Sequence, residues 1–174
     1  MTVAPASKQC GDCSLCCKVL VIPELDKPKD KWCPNFVAGT GCGIYAERPG
    51  SCRNFACRWL VDATLGPEWK PNLCKMVLDV KPGLLVVHAD PAVSKPWRAE
   101  PYNSILKALA VQGLNSGTVV MVMERGRSIA LLPDREEDLG VIGPGARLQV
   151  AREATAQGLQ WQVRAIGPHE VAKK

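Results

Sequence analysis

The chain has 174 residues, 47% of them hydrophobic and 22% charged, with a formal net charge of +5, a pI near 8.8 and a mean hydropathy of −0.03. That is enough chain to bury a core and too apolar throughout to be a disordered tract. The lysines and arginines are dispersed among acids without a basic stripe, and the longest apolar runs are of strand length, so neither nucleic acid nor a membrane is an expected partner.

Nine cysteines set the direction of the reading. Eight fall between Cys10 and Cys57, the ninth is Cys74, and the last hundred residues have none. The first nine residues lack the apolar stretch of a secretory signal. The expected location is therefore cytoplasmic, where a reducing environment makes thiols metal ligands rather than disulfides. The odd number of cysteines points the same way.

Residues 9–60 are rich in Cys, Gly, Pro and aromatic residues and show little apolar periodicity. Such a segment buries little apolar surface and needs a staple. Bound metal can supply one, because its binding free energy becomes folding free energy. Cys10-x2-Cys13-x2-Cys16 places three thiols on a tight loop, a spacing that serves both zinc knuckles and cubane iron–sulfur clusters. Cys17, next to Cys16, is not expected to reach the same ion, so the pair suggests either two centres or one ligand beside a free thiol. Cys33 precedes Pro34. Cys42 lies within Gly39-Thr40-Gly41-Cys42-Gly43, where glycines let backbone N–H groups approach sulfur. Cys52 and Cys57 follow five residues apart. Eight thiols fit two tetrahedral sites, a cluster plus a zinc, or one cubane with four thiols to spare. Four thiolates around a divalent metal carry a net charge of about −2 and call for cations. Arg48 and Arg53, which bracket Cys52, are the favoured donors to sulfur, with Lys8, Lys18, Lys31 and Arg58 also nearby in sequence.

Residues 75–167 read as an α+β part. Apolar runs at 76–80 and 84–88 flank Lys81-Pro82-Gly83, a turn signal, and predict a hairpin. Asn103 is placed to cap a helix running to about Gln112, with Ile105, Leu106 and Leu109 on one face and Gly113 as the stop. Runs at 119–123 and 128–132 flank Glu124-Arg125-Gly126-Arg127 and predict a second hairpin. Runs at 148–152 and 160–166 suggest a third pair. The acidic stretch at 134–138 reads as a solvated loop. Cys74, just before the first predicted strand, is expected to be a buried apolar thiol outside the metal set. His88 reads as a hydrogen-bonded strand-end histidine and His169 as part of an inert tail. Trp32, Trp59, Trp69 and Trp97 are expected to pack over the metal loops. There is no G-x-G-x-x-G, P-loop, H-E-x-x-H or Ser-His-Asp order, so no catalytic residue is assigned.

The run Cys10-x2-Cys13-x2-Cys16-Cys17, followed by Gly41-Cys42-Gly43-Ile44-Tyr45-x2-Arg48-Pro49-x2-Cys52-Arg53-x-Phe55-x-Cys57, resembles the CxxCxxCC family of bacterial YkgJ-like proteins, described as zinc- or iron-chelating domains. The resemblance covers residues 9–60 and implies metal binding through the eight cysteines. Together the expectations are an irregular, metal-stapled N-terminal part packed with an antiparallel sheet carrying one or two helices. The spacing leans slightly toward an iron–sulfur cluster, 4Fe–4S in type, with a redox or sensing role. The alternatives are zinc in one or two centres of a structural or interaction module, or a zinc- or iron-handling protein. A protein partner is open.

Overall fold

The fold comes from a computed structural model that describes residues 8–167 apart from Pro144 and Gln157; His169 and both chain ends lie outside the described residues. The N-terminal segment, having no apolar period to extend, forms only short elements. These are α1 (Cys16–Val19), the two-residue strands β1 (Phe36–Val37) and β2 (Gly41–Cys42), α2 (Gly50–Asn54), α3 (Arg58–Val61) and α4 (Pro71–Cys74). The hairpin of β3 (Met76–Lys81) and β4 (Leu84–Ala89) follows as predicted, closed by Pro82-Gly83 with Lys81 paired to Leu84. Gly83 sits at φ +68°, a conformation that favours glycine.

Helix α5 (Tyr102–Asn115) then crosses over the sheet to β5 (Val119–Glu124). It differs from its predicted ends. Pro101 occupies the N-cap position with no side-chain cap bond, so Asn103 is a helical residue and not the cap. Gly113 lies inside the helix, where the returning chain presses on it: the Thr118 N–H donates to the Gly113 carbonyl at 2.7 Å. β6 (Arg127–Leu131) follows a two-residue turn in which Arg125 and Gly126 are both left-handed, as a type I′ hairpin requires. β7 (Glu136–Gly140) completes a five-stranded sheet in the order β3-β4-β5-β6-β7.

Two expectations are corrected here. The sheet is predominantly antiparallel, but β4 and β5 pair in parallel, Leu84 with Val119 through His88 with Met123. The connection between them is a helix, and a helical crossover returns the chain in the same direction. The acidic stretch at 134–138 runs into a strand, because arginines neutralise it. Arg127 meets Asp138 at 2.9 Å, Arg135 meets Glu137 at 3.0 Å, and Arg98 pairs with Glu136. The third predicted pair is a separate two-stranded ribbon, β8 (Arg147–Thr155) with β9 (Gly158–Ile166).

Strand alternation divides the sheet's side chains between two faces. On one face Met76, Leu78, Leu85, Val87, Val120, Val122 and Leu131 pack with Leu106 and Ala110 of α5 and with Trp69 and Trp97. Those two tryptophans therefore serve the sheet core and not the cysteine loops. Trp32 stacks on Phe36 at 3.9 Å, and Trp59 joins the core to the cysteine segment. On the other face Val77 receives Leu15, at the N-cap of α1, and Val19. Further along that face, Val119 and Ala130 receive Val163 of the ribbon. His88 also points to this side. It is buried, but its Nε2 is 3.6 Å from Asp79 Oδ2, beyond hydrogen-bond reach, and neither ring nitrogen has a partner. The expected hydrogen bond is absent, and burial holds the imidazole pKa below its ordinary value. Among the described residues no helix is long and apolar enough to cross a membrane.

Candidate metal centre

Each cysteine is fixed by a local reason. The Cys13 N–H donates to the Cys10 carbonyl at 2.8 Å and closes the first loop. Leu15 and Val19, four apart, face the sheet and anchor the single turn of α1 on Val77, which leaves Cys16 and Cys17 at its flank. The Cys33 N–H donates to the Cys17 carbonyl at 3.0 Å, tying the Cys33 loop to α1. Phe36 pairs with Cys42 in the small ribbon, and the Gly43 N–H reaches the Asn35 carbonyl at 2.8 Å. Glu24 accepts from the backbone N–H and the hydroxyl of Ser51 at 2.8 and 2.6 Å, which docks the start of α2 and places Cys52. Cys57 precedes α3, whose Trp59 is buried with its indole N–H on the Gly66 carbonyl at 3.1 Å.

These anchors direct Cys10, Cys13, Cys16, Cys17, Cys42, Cys52 and Cys57 into one cavity of about 110 Å³, floored by Phe55, Trp59 and Val77. Cys33 lies behind it, 6% exposed. The thiols sense one another's charge. Cys57 senses Cys10 and Cys13, and Cys16 senses Cys13 and Cys10 besides its neighbour Cys17. Cys52 senses Cys17, Cys33 and Cys42. Burial raises the pKa of Cys13, Cys52 and Cys57. Cys16 is raised by its hydrogen bond to Cys17 and then by burial. Cys17 is lowered to about 7, first by that bond, with Lys27 helping.

The two arginines singled out in the sequence are placed differently. Arg53 is exposed on α2. Arg48 lines the cavity, but its guanidinium lies 4.0 Å over the Tyr45 ring. The buried cation beside the thiols is Lys27, 3% exposed, which senses Cys17 and Cys33 foremost. Sequence reading missed it, since it lies ten residues from Cys17 and six from Cys33. Only the pairing of Ile22 with Lys27 folds it inward. Cys74 is a buried thiol, as expected. It is buried, with its thiol 3.4 and 3.3 Å from the carbonyl oxygens of Trp69 and Met76, and burial raises its pKa to about 11.

Thiolate sets of four suit tetrahedral zinc or iron–sulfur ligation, so the donor chemistry fits the metals that the spacing suggests. The thiols converge on the cavity without closing on a point: among the described residues no three Cys, His, Asp or Glu side chains stand in ligating geometry. The chain matches no protein-family profile, no curated protein and no solved structure.

Proposed function

We propose that this protein binds metal through eight cysteine thiolates in two sites, Cys10/Cys13/Cys16/Cys57 and Cys17/Cys33/Cys42/Cys52. The observation that carries the reading is the convergence of seven of the eight cysteines on one cavity, with Cys33 tied to Cys17 by a backbone hydrogen bond. The resemblance to CxxCxxCC domains at residues 9–60 supports it. In the first set, C-x2-C-x2-C joined by the remote Cys57 is the ligand pattern of a cubane cluster. That keeps the lean toward an iron–sulfur protein with a redox or sensing role in the cytoplasm. When bound, such a cluster supplies one-electron chemistry. The chain's own residues supply the thiolates and the apolar floor that limits water access.

The count of eight thiols favours a second reading, zinc in both sites of a structural or interaction module, since all-cysteine zinc is generally structural. Protein purified without oxygen separates the two. Iron and acid-labile sulfide in a brown sample support the first reading. Two zinc ions per chain in a colourless sample support the second. Disulfides among the eight cysteines with neither metal present would overturn both.

A further inference from the structure

Among the described residues, four buried side-chain polar atoms have no hydrogen-bond partner, and three of them belong to two residues, Lys29 (Nζ) and His88 (Nδ1 and Nε2). Native proteins satisfy almost all such atoms, so each exception calls for an explanation. His88 is 9% exposed. The strand register puts it on the sheet face that carries Val77 and Asp79, with Val77 opposite on β3 and Met123 opposite on β5. Asp79 Oδ2 stands 3.6 Å from the ring's Nε2 and 3.2 Å from Lys81 Nζ. Its carboxylate is thus taken up by Lys81, whose side chain is exposed, and does not close on the ring.

Contacts from the cysteine segment bring Lys29 to the same corner. Lys18 Nζ meets Asp90 Oδ1 at 2.5 Å and lies 5.4 Å over the Trp32 ring, while Lys27 Nζ donates to the Lys18 carbonyl at 2.6 Å. Residues 27–32 therefore run past the end of β4, where Asp90 stands two residues beyond His88. Lys29 lies within that run, and its charge is one that His88 senses, together with those of Asp79 and Lys81. An ammonium has only donors, so what Lys29 lacks is an acceptor. Asp30, its neighbour in sequence, does not supply one, and Asp90 is engaged by Lys18 and by the Ala92 N–H at 2.9 Å. Water would accept a hydrogen bond and leave the ammonium's charge unbalanced. A cation would meet Lys29 and Lys81.

We infer that the corner between Lys29 and His88 binds a small oxyanion, the oxygens of a phosphate or carboxylate group. One such group accepts from the Lys29 ammonium and from the His88 ring and balances the buried charge, and hydrogen bonds of this charge-assisted kind are the strong ones. Asp79, beside Nε2, gives the ring a second carboxylate-type neighbour as it takes up a proton next to the bound anion. Neither Lys29 nor His88 lines the cysteine cavity. The site is therefore separate from the candidate metal centre, and the inference stands whichever metal the cysteines hold.

The chain has two histidines, His88 and His169, so imidazole nitrogen NMR of the full chain reads the site directly, with His169 as internal control. Phosphate, sulfate and acetate are each titrated against chloride at constant ionic strength. A bound oxyanion should shift the His88 resonances saturably and raise the pH at which that ring titrates, because a nearby negative charge favours the protonated form. His169 should not follow. Response to phosphate and sulfate without acetate assigns a phosphate-class ligand, and response to acetate alone assigns a carboxylate. Lys29→Met should weaken the response roughly ten-fold or more, the usual effect of losing a hydrogen bond to a charged group. Lys29→Arg should retain most of it, and melting in chloride checks that each variant is folded. The wild-type titration is decisive even if Lys29→Met does not fold: no saturable shift of His88 with any of the three anions overturns the inference. So does a shift that His169 shares in full, which reports bulk solution alone, or one that is unchanged in folded Lys29→Met.

Discussion

Cys74 turns its thiol inward between the carbonyl oxygens of Trp69 and Met76, whereas Cys17 faces the cavity with Cys16 and Lys27 beside it. Thiolate, not thiol, is the nucleophile, so the two should differ in reactivity. In metal-free chain at about pH 7.5, iodoacetamide should modify Cys17 early and leave Cys74 intact until unfolding. Mass spectrometry of the digested protein reads this, and equal rates at the two positions would refute it. The same shifts set a pH dependence of folding. Cys17, lowered to about 7 chiefly by the Cys16 hydrogen bond, loses its contribution to the metal-free fold as pH falls through about 7, while Cys16, raised by the same bond, opposes it as pH rises above the ordinary cysteine value. Cys74 has the opposite sign: burial raises it to about 11, so its contribution is complete below the ordinary cysteine value and fades as pH rises toward 11. Cys74→Ala should cost about 1 kcal/mol in a denaturant melt and leave the metal count per chain unchanged. A lost metal ion would place Cys74 in the ligand set.

At the scale of elements, Gly113 and Arg135 join parts of the fold that local rules treat as separate. Propensity alone expects Gly113→Ala within a helix to stabilise by up to ~1 kcal/mol. The added Cβ, however, would sit 2.6 Å from the Thr118 carbonyl oxygen, against backbone that has little room to yield. Overpacking of that kind costs about 1–3 kcal/mol, so the variant should melt lower, and a higher melting temperature would show that the 113–118 return relaxes freely. Arg135 spans from Glu137 on β7 to the ribbon, donating to the Trp161 carbonyl at 2.8 Å and to Gln162 Oε1 at 3.1 Å. Being partly exposed, the contact is worth about 1 kcal/mol. Arg135→Ala should accordingly speed hydrogen exchange in β8 and β9 more than in β3 and β4, and uniform protection across both sheets would contradict that. These contacts also mark where sequence reading stops. The two hairpins and the ribbon were legible because short turns such as Pro82-Gly83 and Arg125-Gly126 separate apolar strands, a local signal. The parallel pairing of β4 with β5 was not, since the helix between them fixes direction only in three dimensions. β7 escaped because its carboxylates look solvated until Arg98 and Arg127, from other elements, are brought alongside. The eight cysteines were visible as a set, but the cavity on which seven of them converge forms only when Cys57 returns beside the Cys10–Cys16 loop.

For the whole molecule the question is how far loss of metal would spread. The cysteine segment meets the sheet through Leu15 and Val19 on Val77 and through Trp59. The sheet keeps its other face against α5 and its far end against the ribbon, and of the eight candidate ligands Cys57 packs at the edge of the main core. A structural zinc site can contribute ~10 kcal/mol or more, comparable with the whole stability of a domain, so a segment stapled that way should unravel without its metal. Uncovering Val77 costs the sheet about 1.5–3 kcal/mol of apolar burial, a fraction of that amount. The magnitudes therefore predict partial collapse. After chelation, or in Cys13→Ser, protease should cut within residues 9–60 while a fragment covering about 75–167 survives, with a lowered melting temperature. Limited proteolysis with mass spectrometry, with and without chelator, reads the outcome. If both parts are digested together, Trp59 and the Leu15–Val19–Val77 contact couple the molecule more tightly than their area implies, and one cooperative core is the right description. If metal loss is confirmed and neither part becomes sensitive, the cysteines do not hold the fold, and the metal's role is exchange or redox chemistry rather than support.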